Sequence, residues 1–222
     1  MSETDSFIDE VTEEVRRDKL FALMRKYGWI GIALVVLIVG GAGYSEWQKA
    51  RHKTAAQGFG DSIVAALESD DATARLAALE AIGADGVGDG AGQRAMVTLL
   101  AAHEALRSGD RDGARDRFEA LAADPAVPAG YRDLARLKAV VLAGTGMDAA
   151  ERDAALEELA RPGAPFRVLA MEQQALVLMA EAKDDEALGL LRRILEEPDV
   201  TAGLRRRVTQ LIVILGGDPE AA

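Results

Sequence analysis

Apolar and polar positions divide the chain into three regimes. Residues 1–26 carry one apolar face: Phe7, Ile8, Val11 and Val15 recur at helical spacing, and Leu20, Leu23 and Met24 follow. Asp5 or Ser6 is the expected cap of that helix. Tyr27–Ser45, YGWIGIALVVLIVGGAGYS, then runs nineteen residues without a charge, the one long uncharged apolar stretch in the sequence. From residue 46 to the end the pattern returns to helical periodicity, punctuated at short intervals by Gly, Pro and Asp.

The uncharged stretch predicts a single membrane span over 27–45. As a helix it reaches roughly 28 Å at about 1.5 Å per residue, against a hydrocarbon core about 30 Å thick. Ile30, Ile32 and the run Leu34–Val39 are strongly apolar, and together favour insertion by very roughly 2–5 kcal/mol. Five glycines (Gly28, Gly31, Gly40, Gly41, Gly43) weaken that margin without reversing it. Tyr27, Trp29, Tyr44 and Trp47 fall where aromatic belts form. The stretch lacks GxxxG, which disfavours tight self-association of the span, while Gly28/Gly31 and Gly40/Gly43 leave contact with a larger partner's helices open. Two rivals are a buried core helix and a cleaved signal peptide ending at Gly41-Ala42-Gly43. Nineteen uncharged residues are long for the first. The second is opposed by the 26 residues that precede the stretch, seven of them acidic.

After the span the periodicity predicts a series of helices. One runs from Glu46 to about Glu68, with no break in the pattern to separate it from the span, and a second from Ala72 to Ile82 with Leu76, Leu79 and Ile82 on one face. Gly83–Gly92, GADGVGDGAG, reads as a linker. It has neither the context of a phosphate loop nor a calcium-loop register, since counting from Asp85 puts Val87 at position 3 and Met96 at position 12. Then follow Ala91–Arg107, a helix capped by Asp110 and ending near Ala123, Tyr131–Ala143, a helix capped by Asp148 and ending near Ala160, and Phe166–Ala182. Asp184 or Asp185 starts the next, to Glu197. Thr201–Leu215 is the last, with Leu204, Val208, Leu211, Ile212 and Leu215 inward, and Gly216–Pro219 ends it.

Composition sharpens this picture. The chain is rich in Ala, Leu, Glu, Asp and Arg and poor in aromatic and β-branched residues outside the stretch, which is helical composition. The expected class is all-α, with domains over 1–26, 27–45 and 46–222. There is no cysteine, which excludes disulfides and thiolate metal sites, and no asparagine, which excludes N-glycosylation. The net charge of −11 opposes nucleic-acid binding. Arg16, Arg17, Lys19, Arg25 and Lys26 precede the span, against Lys49, Arg51 and Lys53 beyond it. That bias, with the length of the C-terminal part, predicts a cytoplasmic N-terminus and a translocated C-terminal domain.

Ser108–Pro125 (SGDRDGARDRFEALAADP) aligns with Glu181–Pro198 (EAKDDEALGLLRRILEEP) at a constant offset of 73 residues. Ala114 maps to Ala187, Phe118 to Leu191, Leu121 to Ile194 and Pro125 to Pro198; a weaker copy, Met147–Pro162, lies between. That offset is about two helical hairpins of the tetratricopeptide period. A small residue, a large apolar one four on, another three on and then a proline resemble the second helix of a tetratricopeptide repeat. Gly109 falls where that motif often turns. The first-helix signature is largely absent, with Ala102 and Ala175 at its small position, so the repeats are degenerate. The expected domain is a tetratricopeptide-like solenoid of about four helix pairs and a capping helix.

The whole layout resembles the YfgM-like family of single-pass inner-membrane proteins of Gram-negative bacteria. The features that carry the resemblance are the short charged tail, the single span, the exit Tyr44 and Glu46-Trp47-Gln48-Lys49-Ala50, and the degenerate pairs. The tail segment DSFIDEVTEEVRRDKLFALMRKYGW is similar to alphaproteobacterial members. The resemblance implies a periplasmic domain ancillary to the SecYEG translocon that works with periplasmic chaperones. A scaffold for another envelope complex (respiratory, cell-division or pilus) is the alternative.

No catalytic signature appears, and no cofactor, metal or small-molecule substrate is expected. His52 and His103 stand apart from any ligand set. Glu157-Glu158 and Glu196-Glu197 are adjacent on helices, so each pair diverges into solvent. Arg205-Arg206-Arg207 reads as the exposed face of a capping helix. Without Asn, a clamp for chaperone C-terminal carboxylates built on paired Asn is disfavoured.

Overall fold

The computed structural model describes residues 3–84 and 90–218; for residues 3–24, Tyr27, Gly28, Ile32, Gly83, Ala84 and Thr145 it describes the backbone alone. Half of the expected linker (residues 85–89), Pro219 and the apolar side chains of the tail therefore lie outside the described residues. The chain forms two compact units, residues 1–58 and 59–222. Among the described residues every regular element is a helix.

The first unit is helix α1, Glu3–Leu67, up to Gly58. It already runs through Asp5 and Ser6, so neither caps it, contrary to the sequence expectation: tail, uncharged stretch and the following segment are one uninterrupted helical element. Trp29–Leu67 contains a stretch long and apolar enough to cross a membrane, with none of its most apolar part buried in the protein. Leu37 is 75% exposed and even Ile30 is 47% exposed. That exposure removes the core-helix reading, because a core helix buries its apolar stripe. At one end Tyr44 and Trp47 stack with ring centroids 5.9 Å apart, and the Arg51 guanidinium lies 4.8 Å from the Trp47 ring. Trp29 and Trp47 are about 27 Å apart along a helix of ideal rise, close to the hydrocarbon thickness.

The second unit opens with the last turns of α1, from Phe59, and continues with α2 (Ala72–Ala84), α3 (Ala91–Ser108), α4 (Arg111–Ala123) and α5 (Ala129–Ala143). A short 3-10 turn at Gly144–Gly146 leads to α6 (Ala149–Leu159), α7 (Arg167–Ala180), α8 (Asp184–Glu196) and α9 (Ala202–Ile214). Consecutive helices pack on one another. Side chains cap three of the helices, two of them, Asp110 and Asp148, as expected. Asp110 accepts from the Gly113 amide, Asp148 from those of Ala150 and Glu151, and Thr201 from that of Leu204. These carboxylates and this hydroxyl satisfy amides that the first turn leaves unpaired. Helix α8 lacks a side-chain cap and instead places Asp184, Asp185 and Glu186 in its first turn, where the helix dipole favours them.

The 73-residue offset extends well beyond the aligned segments. One core gathers Ala95, Ala102, Phe118, Leu121, Val127, Ala135 and Ala139. Moving each by 73 gives Val168, Ala175, Leu191, Ile194, Val200, Val208 and Ile212, and all seven belong to the core of α7–α9. The two cores are thus copies, and α9 occupies the register of α5. Small residues set the spacing: Ala102, Ala114, Ala135, Ala175 and Ala187 are all fully buried, which lets neighbouring helices approach closely.

The turn repeats as well. Gly109 has φ of 91°, and its counterpart Ala182 has φ of 58°. After each, the next amide reaches back along the preceding helix, Asp110 N–H to Ala105 O at 2.8 Å and Lys183 N–H to Leu178 O at 2.9 Å. This is the left-handed helix ending that glycine normally provides. In the second copy an alanine carries the same conformation, at a cost of about 1–2 kcal/mol.

Candidate interaction groove

The odd-numbered helices α3, α5, α7 and α9 each contribute to one cleft of the second unit. Its volume is about 480 Å³. Leu106 of α3, Phe118 of α4, Leu134, Leu137, Val141 and Leu142 of α5, and Leu169 of α7 form its apolar surface. Phe118 and Leu137 are buried beneath it, whereas Val141 is 52% exposed and offers its side chain outward. A second cavity, of about 770 Å³, lies against the α6–α7 loop and shares Leu169 and Arg207 with the first.

The polar lining is mostly cationic: Arg111, Lys138 and Arg207, with Gln173 and the single carboxylate Glu172. Glu172 is buried, and Arg207 grips it in a fork, Nε to Oε1 at 2.7 Å and Nη2 to Oε2 at 2.8 Å. The hydrogen bonds from Arg207 to Glu172 raise the Arg207 pKa above its already high ordinary value, so this cation stays charged throughout. The pair ties α7 to α9 at the edge of the cleft. Arg207 is exposed, as the sequence reading of Arg205–Arg207 expects, and in addition its guanidinium reaches back to the α7 carboxylate. Arg206 is exposed as expected.

The remaining residues singled out from sequence lie elsewhere. His52 and His103 are both exposed, and His103 sits on α3 away from the cleft lining. Glu157 and Glu158 are exposed on α6, where Glu158 accepts from Arg136 of α5 at 2.6 Å. Glu197 pairs with Arg167 at 2.5 Å, which raises the arginine's pKa. Among the described residues no group of three or more His, Asp and Glu side chains gathers as a metal site.

The odd helices line a common cleft, to which α4 adds Arg111 and Phe118, and the unit holds two copied cores. Such an arrangement is what stacked helical hairpins produce. The sequence model of the tetratricopeptide repeat-like domain family matches residues 24–189, three quarters of the chain. The chain belongs to this family. No curated protein and no solved structure matches it. The match to the tetratricopeptide repeat-like domain begins ahead of the uncharged stretch, so it spans that stretch together with the helices from α2 to the middle of α8. Domains of this kind serve protein–protein interaction, and the cleft between α5, α7 and α9 is where this one offers an apolar surface with oriented charges.

Sequence reasoning singled out Phe118 and Arg207 for other reasons and missed the rest of the cleft's lining. That Glu172 needs a partner was detectable, since it stands among Ala170, Met171 and Ala175 on the buried side of α7; which residue supplies it was not.

Proposed function

We propose that this protein is a single-pass inner-membrane protein whose residues 46–222 form a periplasmic repeat domain that binds other proteins through the α5–α7–α9 cleft. The observation that carries the reading is the cleft itself, an apolar surface of seven side chains ringed by charge. The exposed apolar side chains of Trp29, Ile30 and residues 34–39 support tethering, since each gains by leaving water. The basic bias before the span supports a cytoplasmic N-terminus. Tethering raises the concentration of the cleft near membrane partners and so makes weak contacts effective. The partners we assign are the SecYEG translocon and periplasmic chaperones. Support for that assignment is the resemblance of tail, span, aromatic exit and degenerate pairs to the YfgM-like layout.

Two experiments test this. The chain contains no cysteine, so single cysteines report cleanly. Gln210→Cys should react with an impermeant maleimide in spheroplasts and Ser6→Cys should not; the reverse pattern refutes the topology. A photo-crosslinking residue at Val141 should capture translocon subunits or periplasmic chaperones in living cells. Recovery of unrelated envelope complexes alone sinks the Sec assignment and supports a scaffold role elsewhere.

A further inference from the structure

We propose that the cleft selects a partner segment whose apolar side chains are flanked by carboxylates. This rests on the reading of the cleft as a protein-binding surface, and it concerns the chemistry of what enters.

The chain has 37 acidic residues against 26 basic ones, so a basic cleft runs against its composition. Across the second unit, arginines that bridge helices end on acids: Arg75 on Glu104, Arg117 on Glu80, Arg136 on Glu158, Arg152 on Glu181 and Arg167 on Glu197. Arg111 and Lys138 do not. Arg111 donates to the Leu142 carbonyl at 3.0 Å, which leaves most of its guanidinium edge open. The Lys138 ammonium lies 5.8 Å from the Phe118 ring centroid. Neither has a carboxylate partner among the described residues. Both line the apolar floor, and the one acid of the cleft, Glu172, is already held by Arg207.

Two open cations beside a patch of Leu, Val and Phe present complementary halves of one ligand. An apolar side chain seated on Leu134, Leu137 and Val141 brings neighbouring Asp or Glu residues within reach of Arg111 and Lys138, which line the same cleft. Charge-assisted bonds to carboxylate at the rim of an apolar contact steer association and fix register. An unflanked apolar segment fills the floor but leaves both cations unpaired. A basic segment meets repulsion.

The test uses full-length protein in nanodiscs of phosphatidylcholine and three fluorescent peptides with one Leu/Phe centre and Glu, Gln or Lys flanks. Anisotropy should give a Kd for the Glu peptide about tenfold below that of the Gln peptide, with the Lys peptide weakest; each rim contact is of the order measured for exposed ion pairs. In Arg111→Glu/Lys138→Glu the order should invert, which a folding defect cannot produce. Val141→Asp should weaken all three. Equal Glu and Gln affinities, both lost in Val141→Asp, overturn the charge selection and leave the cleft reading intact. No binding by any peptide, or binding indifferent to Val141→Asp, overturns both. Capture of phosphatidylglycerol vesicles in preference to the peptides, lost in the double variant, assigns the cations to lipid and overturns the proposal. Self-association lost in that variant assigns them to a second copy, with the same result.

Discussion

Glu104→Ala should unfold the start of the repeat array while sparing its end. Arg75 of α2 donates from Nε to Glu104 Oε2 of α3 at 2.7 Å, and their side chains are only 7% and 5% exposed. Arg75 keeps one further acceptor, the Ser69 carbonyl at 2.6 Å. Truncating the glutamate therefore strands a guanidinium in the contact between α2 and α3, with one carbonyl to compensate it. Removing one partner of a buried pair costs about 3–5 kcal/mol, mostly the penalty of the charge left behind. In a stack where each pair touches its neighbours, that loss is local. Hydrogen exchange read by mass spectrometry is the suitable assay. Both tryptophans, Trp29 and Trp47, lie in the first unit, so their emission says nothing about the repeats. Peptides from α2 should exchange at least about a hundredfold faster, each 1.4 kcal/mol being a factor of ten. Peptides from α8 and α9 should be unchanged. Arg75→Met/Glu104→Leu should recover the protection, since an apolar pair of similar volume replaces a buried ion pair at little cost. An unchanged α2 in Glu104→Ala, or a double variant as labile as the single one, would refute the reasoning.

Three further outcomes follow from the second unit. Ala182→Gly should stabilise the domain by about 0.5–1 kcal/mol in thermal or denaturant unfolding, because it relieves the left-handed strain at a turn whose first copy already has glycine; the chain entropy of glycine offsets part of the gain. Phe118→Ala should destabilise by about 3–5 kcal/mol, the range for emptying a buried aromatic site, and should also weaken peptide binding because the ring underlies the cleft. The Glu181–Lys183 contact should give the α7–α8 turn a pH window. The hydrogen bond from Lys183 lowers the Glu181 pKa from its ordinary 4.5, so that contribution is complete above 4.5 and fades as pH falls through the lowered value. The same bond raises Lys183 above 10.5, so its contribution is complete below 10.5 and fades as pH rises through the raised value. NMR titration of the Ala182 amide should move at both limits and lie flat between; a single transition near 4.5 contradicts the coupling.

The sequence made some of this plain and hid the rest for physical reasons. Phe118 and Leu191 were matched by offset alone because a buried large residue in a copied hairpin must recur. Asp110, Asp148 and Thr201 announced helix starts because capping is local chemistry. The Arg75–Glu104 and Arg207–Glu172 pairs were hidden: their partners are 29 and 35 residues apart, and which helix faces meet depends on the stacking. Ala182 was hidden too, since nothing in alanine's chemistry signals a left-handed backbone. The start of α1 was misplaced for the opposite reason, as Asp5 and Ser6 are good caps that the continuous helix does not use.

The abundance of alanine at the helix contacts has one more consequence. Eight alanines, Ala95, Ala102, Ala105, Ala114, Ala135, Ala170, Ala175 and Ala187, have no exposed surface at all. An alanine has no bulk to lose, and a larger side chain there must push two helices apart, at a cost of about 1–3 kcal/mol or more. A saturation scan of these positions should show the usual core asymmetry reversed, with enlargement more damaging than trimming. The second copy already carries Val168 and Val208 at the places of Ala95 and Ala135, whereas Ala102 and Ala114 recur as Ala175 and Ala187. The penalty for enlargement should therefore be steepest at the two recurrent pairs, Ala102/Ala175 and Ala114/Ala187, where both copies hold the helices at alanine spacing.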